Sequence, residues 1–187
     1  GVSAFVGYGS TGLNLTGVDL AIALWSEVGG AGRQWTSVMG SIGSAAFVGV
    51  AGLALSVSKM TLEINKSAAD GTLVDYVAGA GETSVSALVV TVGPGQTVTF
   101  ALDDADGEYL QVAGTAEMDL FGFVTVSGDF AVTKKSNQSV YVSSAVDANT
   151  LVTANLLAIG MAGVSAFVGY GSTGLNLTGV DLAIALW

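Results

Sequence analysis

The sequence predicts an all-β protein, and three observations support that prediction. Apolar and polar residues alternate along most of the chain, which is the periodicity of a strand with one buried face. The alternating runs are separated by Gly-rich and Asp-Gly segments that favour turns. A long segment occurs twice, which is typical of repeat architectures. We expect an elongated β-solenoid-like or stacked β-meander repeat unit, with a β-sandwich repeated like beads as the alternative.

The repeat also predicts the domain organisation. Residues 1–25 and 163–187 are identical, so the sequence begins to repeat after 162 residues. We expect residues 1–162 to form one tandem repeat unit and residues 163–187 to start the next unit. Both ends then resemble cuts through a longer polymer of near-identical units.

The first predicted elements lie in the repeated segment. Residues 7–12 have the G-x-G-x-x-G spacing of a dinucleotide-binding loop, but a strand pattern follows where that site needs a helix. We therefore interpret this segment as a Gly-rich hairpin turn. Residues 18–24 alternate as a strand, and Gly17, placed between two alternating runs, predicts a bulge or corner.

The middle of the chain predicts a loop and then another strand. Residues 26–45 contain five glycines and predict a long surface loop or a flexible connection. Met60, Leu62 and Ile64 alternate with polar residues as a strand. Residues 56–59 fit an S-x-x-K motif, but they lie between two alternating runs, so we interpret them as a polar strand face.

The remaining elements follow the same rules. Residues 97–102 alternate as a strand, and Gly114 and Gly128 predict further bulges or corners. Residues 153–159 are compatible with one or two helical turns that Gly160 would end. Turn signals occur at residues 69–71, 93–95, 106–107 and 136–137.

Composition excludes several classes of function. The chain has no Cys and no His, which removes disulfide scaffolds, thiolate metal sites and the commonest general base. Only 5 basic residues stand against 15 acidic ones, so a nucleic-acid-binding face is not expected. Glu117 and Asp119 alternate onto one face as a possible carboxylate pair, but nothing in the sequence places them in a cleft. We expect no enzyme, no required cofactor and no small-molecule substrate.

One acidic cluster predicts a possible metal site. Asp103, Asp104, Asp106 and Glu108 lie within six residues, and carboxylate oxygens are the ligands that Ca²⁺ prefers. Leu102 occupies the first position of the full Asp-x-Asp-x-Asp-Gly pattern. The alternative interpretation is a solvated acidic turn.

Several segments resemble the tandem repeats of giant bacterial secreted or surface proteins, which are described as adhesin-like or haemolysin-type calcium-binding. The segments that carry this resemblance are residues 69–76, 120–130, 164–169 and 175–181. The resemblance implies export, great length and β-rich repeats, and it implies no catalytic residues.

These observations favour a structural repeat of an extracellular or cell-surface β-rich fibre or stalk that associates end to end with copies of itself. The alternative is a calcium-ordered, ligand-binding adhesin repeat that binds a surface glycan or protein. An outer-membrane β-barrel is a minor alternative. The residues expected to carry self-association belong to the repeated segment: Gly1, Phe5, Leu13, Leu15, Val18, Leu20, Ile22, Leu24, Phe167, Leu175, Leu177, Leu182, Ile184 and Leu186.

Overall fold

The computed structural model describes residues 1–79, 85–144 and 149–186, so Trp187 of the second repeat copy lies outside the described residues. The strands in chain order are β1 (Val2–Tyr8), β2 (Thr11–Ser26), β3 (Gln34–Val48), β4 (Leu53–Lys66), β5 (Val89–Gly93), β6 (Gln96–Thr99), β7 (Tyr109–Leu120), β8 (Val124–Val142), β9 (Thr150–Tyr170) and β10 (Thr173–Leu186). A short 3₁₀ turn covers Asp104–Asp106.

Eight strands form one antiparallel sheet in the order β1-β2-β3-β4-β7-β8-β9-β10, and β5 and β6 form a separate hairpin. Each strand of the large sheet pairs with the sheet strand that follows it along the chain. The all-β prediction is confirmed, and the described strands form a meander rather than the coils of a solenoid. The sheet is open, with β1 and β10 as its edge strands.

Alternation gives the sheet two chemically different faces. On the apolar face, directly paired residues form rows that cross the sheet. One row contains Leu20, Gly40, Leu62, Val112, Val132, Ile159 and Ile184, and a second contains Leu13, Phe47, Leu55, Met118, Val126, Ala166 and Leu177. The polar face carries the residues between them, including Thr16 and Ser44, whose hydroxyl oxygens lie 2.6 Å apart.

A line of backbone irregularities crosses the sheet at mid-height. Gly17 has a φ of +65°, and the register of β1 against β2 shifts beside it. Gly114 faces a bulge at Lys59 of β4, which has a φ of +52°, and Gly128 faces a bulge at Gly163 of β9, which has a φ of +61°. The bulge predicted at Gly17 is confirmed, whereas the bulges predicted at Gly114 and Gly128 lie in the neighbouring strands β4 and β9, opposite these two glycines.

The buried core lies on the polar-face side, beneath the described residues of the segment 67–108, which connects β4 to β7 and is called the insert below. Phe100 and Leu102 of the insert are 2% and 0% exposed, and they pack with Ala21 and Ala23 of β2. The Phe100 ring also lies 5.1 Å from the Tyr76 ring. The predicted strand over residues 97–102 ends at Thr99, because the next residues turn into this core.

The loop predicted over residues 26–45 is wrong, because only residues 27–33 separate two strands and β3 begins at Gln34. The glycines of this segment fit the strand. A Cβ on Gly40 would lie 3.0 Å from the Leu20 side chain, and one on Gly43 would lie 3.3 Å from the Thr16 carbonyl oxygen. Glycine therefore permits close cross-strand packing at these two positions.

Two further local predictions are wrong. Residues 153–159 lie in β9 and not in a helix, because their backbone pairs with β8 on one side and partly with β10 on the other. The predicted turn at residues 136–137 is a bulge inside β8, with Asn137 at a φ of +55°. The turns at residues 69–71, 93–95 and 106–107 are confirmed.

Candidate functional site: the two edge hairpins

The two copies of the repeated segment form hairpins at opposite edges of the sheet. The head hairpin is β1 with β2, and the tail hairpin is the end of β9 from Gly163 onward with β10. Their registers agree. Val6 pairs with Leu13 in the head hairpin, and the equivalent Val168 pairs with Leu175 in the tail hairpin.

Both hairpin turns depend on glycine. Gly9 has a φ of +61° and the equivalent Gly171 a φ of +59°, a left-handed conformation that glycine adopts without steric cost. A Cβ on Gly7 would clash with the Thr11 carbonyl oxygen, and Gly169 is equally close to the Thr173 carbonyl oxygen. The Gly-rich hairpin turn predicted for residues 7–12 is confirmed.

An aspartate closes each hairpin near the line of bulges. The Asp181 carboxylate accepts a hydrogen bond of 2.8 Å from the Gly163 backbone nitrogen. The equivalent Asp19 carboxylate lies 3.3 Å from the Gly1 nitrogen. The same contact therefore recurs at both edges of the sheet.

The two hairpins differ in what lies beside them. The side of β2 that faces away from β1 pairs with β3. The equivalent side of β10, which faces away from β9, has no paired strand among the described residues. In the tail hairpin, the end of β9 is the segment equivalent to β1, and it pairs with β8. The equivalent side of β1, which faces away from β2, has no paired strand among the described residues. The two hairpins have the same sequence, and each has a neighbouring strand on the side where the other has none among the described residues.

Most of the predicted self-association residues lie together on the apolar face of these hairpins. They remain accessible: Leu24 is 75% exposed and Leu175 67% exposed. Phe5 and Phe167 differ, because they pair with Asn14 and Asn176 and therefore point to the polar face. Gly1 precedes β1, and its nitrogen contacts the Asp19 carboxylate.

A buried chain of hydrogen bonds anchors the insert to the sheet, and sequence analysis missed it. Trp25 donates from Nε1 to the Tyr76 hydroxyl at 2.8 Å, and Tyr76 donates to Ser37 Oγ at 2.9 Å. Ser37 donates to Asn65 Oδ1 at 3.2 Å, and Asn65 donates from Nδ2 to the Val74 carbonyl oxygen at 3.2 Å. Sequence analysis could not find these residues, because a polar residue in an alternating strand pattern does not indicate a hydrogen-bond partner that lies tens of residues away.

The loop between β2 and β3 is held by an ion pair. Arg33 donates to Glu27 Oε1 at 2.6 Å, and its guanidinium lies 5.4 Å from the centre of the Trp35 ring. The hydrogen bond from Arg33 holds the pKa of the Glu27 carboxyl below its ordinary value. The arrangement orders the loop beside the insert.

The predicted calcium ligands do not come together as one set. Asp106 binds Lys135, with Nζ and Oδ1 3.1 Å apart. Glu108 accepts hydrogen bonds from the backbone nitrogen of Ser67 at 3.1 Å and from the Ser67 hydroxyl. Partial burial raises the pKa of the Glu108 carboxyl, but hydrogen bonds from Ser67 and Ser136 and the charge of Lys66 together outweigh that effect and hold it below its ordinary value.

The fold instead gathers Asp75, Asp103 and Asp104, whose nearest carboxylate oxygens all lie within 4.8 Å of one another. Asp103 also accepts a hydrogen bond of 2.9 Å from the Ala105 backbone nitrogen. Calcium binding stays a prediction, and these three aspartates are the group on which it should be tested. Calcium-dependent thermal stability that disappears in Asp75→Asn would support the prediction.

The possible carboxylate pair, Glu117 and Asp119, lies on the open polar face of β7. Asp119 accepts a hydrogen bond of 2.7 Å from the Gly122 backbone nitrogen, which orders the turn into β8. This contact gives Asp119 a structural role.

In the described parts of the chain, no helix has the length and apolarity needed to cross a membrane. A comparison with known protein families, characterised proteins and solved structures finds no match to this chain.

Proposed function

We propose that this chain is a structural repeat of an extracellular or cell-surface β-rich fibre or stalk, in which successive copies continue one sheet. The proposal rests on one observation, the occurrence of the same 25-residue segment as a hairpin of the same register at both edges of an open sheet. Its partners are copies of itself, and it needs no cofactor, substrate or nucleic acid.

The pairings on either side of the repeated segment specify how the sheet would continue. β3 pairs with β2 through contacts such as Val38 with Ile22, so the β3 of a following copy would place its Val38 beside Ile184. β8 pairs Val126 with Ala166, so the β8 of a preceding copy would pair with the equivalent Ala4. Each copy then adds six strands, or about 29 Å of sheet at ~4.8 Å per strand.

The small residues of β10 support the same arrangement. Ala21 and Ala23 of β2 are buried under the insert. The equivalent Ala183 and Ala185 of β10 pair with Gly160 and Ala158, and they leave open the surface that the insert covers at the other edge. The insert of a following copy would bury them in the same way.

A series of chains with one, two and three copies of residues 1–162, each followed by residues 163–187, tests the proposal. A continuous sheet predicts that small-angle X-ray scattering shows a rigid particle that lengthens by about 29 Å per copy. It also predicts that stability rises with copy number, because each junction adds an interface. Independent beads would instead unfold at one unchanged temperature and move flexibly, which would contradict the proposal.

Cysteine cross-links check the junction in the two-copy chain, because the natural sequence has no Cys. Val126→Cys with Ala166→Cys, and Ile184→Cys with Val38→Cys of the second copy, should both form disulfides in the same molecule. Val126→Cys with Ser165→Cys, which lie on opposite faces, is the matched control and should not. Formation of only one of the two expected disulfides would show that the hairpin cannot serve both copies at once.

A further inference from the structure

The apolar face of the sheet has no cover among the described residues, since the insert packs on the other side. Its side chains are accessible even in the interior of the edge hairpins, with Leu20 48% exposed and Ile22 55% exposed. Eight strands of about 14 residues give a face of roughly 35 by 45 Å, or on the order of 1,600 Å². The largest apolar patch on a monomeric soluble protein is about 300–600 Å².

We propose that this apolar face packs against the apolar face of a second copy to form a two-layer sandwich. The available area is about twice the ~800 Å² that each partner contributes to a standard interface. Sheets that pack face to face lie about 10 Å apart, a spacing that interdigitated Leu, Ile and Val side chains fill. This contact uses a different surface from the sheet edges and does not depend on the end-to-end joining proposed above.

The distribution of charge favours a second copy as the occupant. The carboxylates of the large sheet alternate onto the polar face: Asp19, Glu63, Glu117, Asp119, Asp129 and Asp181. Two apolar faces can therefore meet without bringing carboxylates together. The net charge of −10 would repel an anionic membrane surface.

Two lysines at one end of the apolar face indicate how the copies are oriented. Lys66 and Lys134 pair with Thr36 and Leu110 in rows at the same end of the face. If both sheets pointed the same way, four amines would meet in the interface. An antiparallel arrangement about a two-fold axis places them at opposite ends, where their chains reach water at the rim.

Sedimentation of the full chain at micromolar concentration, with one matched pair of variants, tests the sandwich. Val126 and Thr125 are neighbours on β8 that point to the apolar and the polar face. Val126→Lys should raise the dimer dissociation constant at least tenfold, whereas Thr125→Lys, which lies opposite Asp119, should associate like the parent. Circular dichroism verifies that both variants keep the sheet. A monomeric parent, or equal association of the two variants, would overturn the proposal.

Single cysteines give a second readout that does not require disrupting the interface. Ala116 lies on the apolar face of β7, near the centre where the two-fold axis would pass, and Thr115 is its neighbour on the polar face. Oxidation should join two chains through Ala116→Cys and leave Thr115→Cys unjoined. Joining of both, or of Thr115→Cys alone, would contradict the sandwich. Flotation of a monomeric chain with neutral phosphatidylcholine vesicles would show that lipid, and not a second copy, covers the face.

Discussion

At the scale of single residues, the hydrogen-bond chain through Tyr76 joins the insert to the sheet. The Tyr76 side chain is 3% exposed, and its hydroxyl is both an acceptor for Trp25 and a donor to Ser37. Removing it leaves the buried Ser37 hydroxyl and the part-buried Trp25 indole N–H without this partner. We expect Tyr76→Phe to lower the free energy of unfolding by about 1–3 kcal/mol in denaturant titrations.

Tyr141→Phe is the control for that measurement, because Tyr141 is 74% exposed. It should change the free energy of unfolding by less than about 0.5 kcal/mol. Equal effects of the two substitutions would mean that the buried hydroxyl contributes nothing specific.

Three carboxyl groups with lowered pKa values determine how the stability of the fold should depend on acidic pH. The folded-state pKa values of Glu27, Asp70 and Glu108 lie below their ordinary values, mainly through hydrogen bonds from Arg33, Thr72 and Ser67. Carboxyls shifted in this direction stabilise the fold fully above their unfolded pKa, which is 4.5 for Glu. That stabilisation declines as the pH falls through the lower folded values.

We therefore expect the thermal midpoint to stay level from pH 7 to about pH 5 and to fall below the ordinary carboxyl pKa. Glu108→Gln should lower the midpoint at pH 7, and its difference from the parent should shrink toward pH 3. A difference that stays constant across this range would show that the charge of Glu108 does not stabilise the fold.

At the scale of elements, the hairpin turns predict a contrast between two glycines. A Cβ on Gly7 would collide with backbone atoms of the opposite strand, whereas a Cβ on Gly160 in β9 would meet no atom within 4 Å. Gly7→Ala should therefore loosen the head hairpin and speed amide hydrogen exchange in β1 and β2. Gly160→Ala should leave exchange unchanged and add about 0.4–1 kcal/mol of stability. The opposite order would contradict the close packing of the turn.

Elements also show how far the sequence determines this fold. Alternation of Leu20, Ile22 and Leu24 is enough to predict β2, because the period of two is fixed by backbone geometry. β3 was not predictable from local signals, since its glycines favour loops and are justified only by close contact with β2. The burial of Phe100 and Leu102 depends on contacts with a strand about 80 residues away, which no local pattern reports.

The candidate site was likewise predictable from the sequence only in part. The identity of residues 1–25 and 163–187 is visible in the sequence, and it led directly to the hairpins at the two edges. The acidic cluster could be found by composition, but its grouping with Asp75 could not, because that aspartate lies on a different part of the insert.

At the scale of the whole molecule, charge opposes the association that we propose for the sheet edges and the apolar face. With a net charge of −10, copies repel one another over the Debye length, which falls from about 10 Å at 0.1 M salt to about 3 Å at 1 M. We expect sedimentation to show stronger self-association in 0.5 M NaCl than in 20 mM NaCl. Association that weakens as salt increases would show that ion pairs hold the copies together.

The order of strands in the large sheet has a mechanical consequence. Each strand lies across the line that joins the two edges, so a pull applied to β1 and β10 acts along the ladders and not along the backbone. Such a pull stretches the hydrogen bonds along their own direction. Neighbouring strands can then separate one pair at a time, without a whole strand sliding past its partner. A fibre made in this way would extend at low force as one strand after another separates. It would therefore dissipate mechanical energy before its backbone breaks.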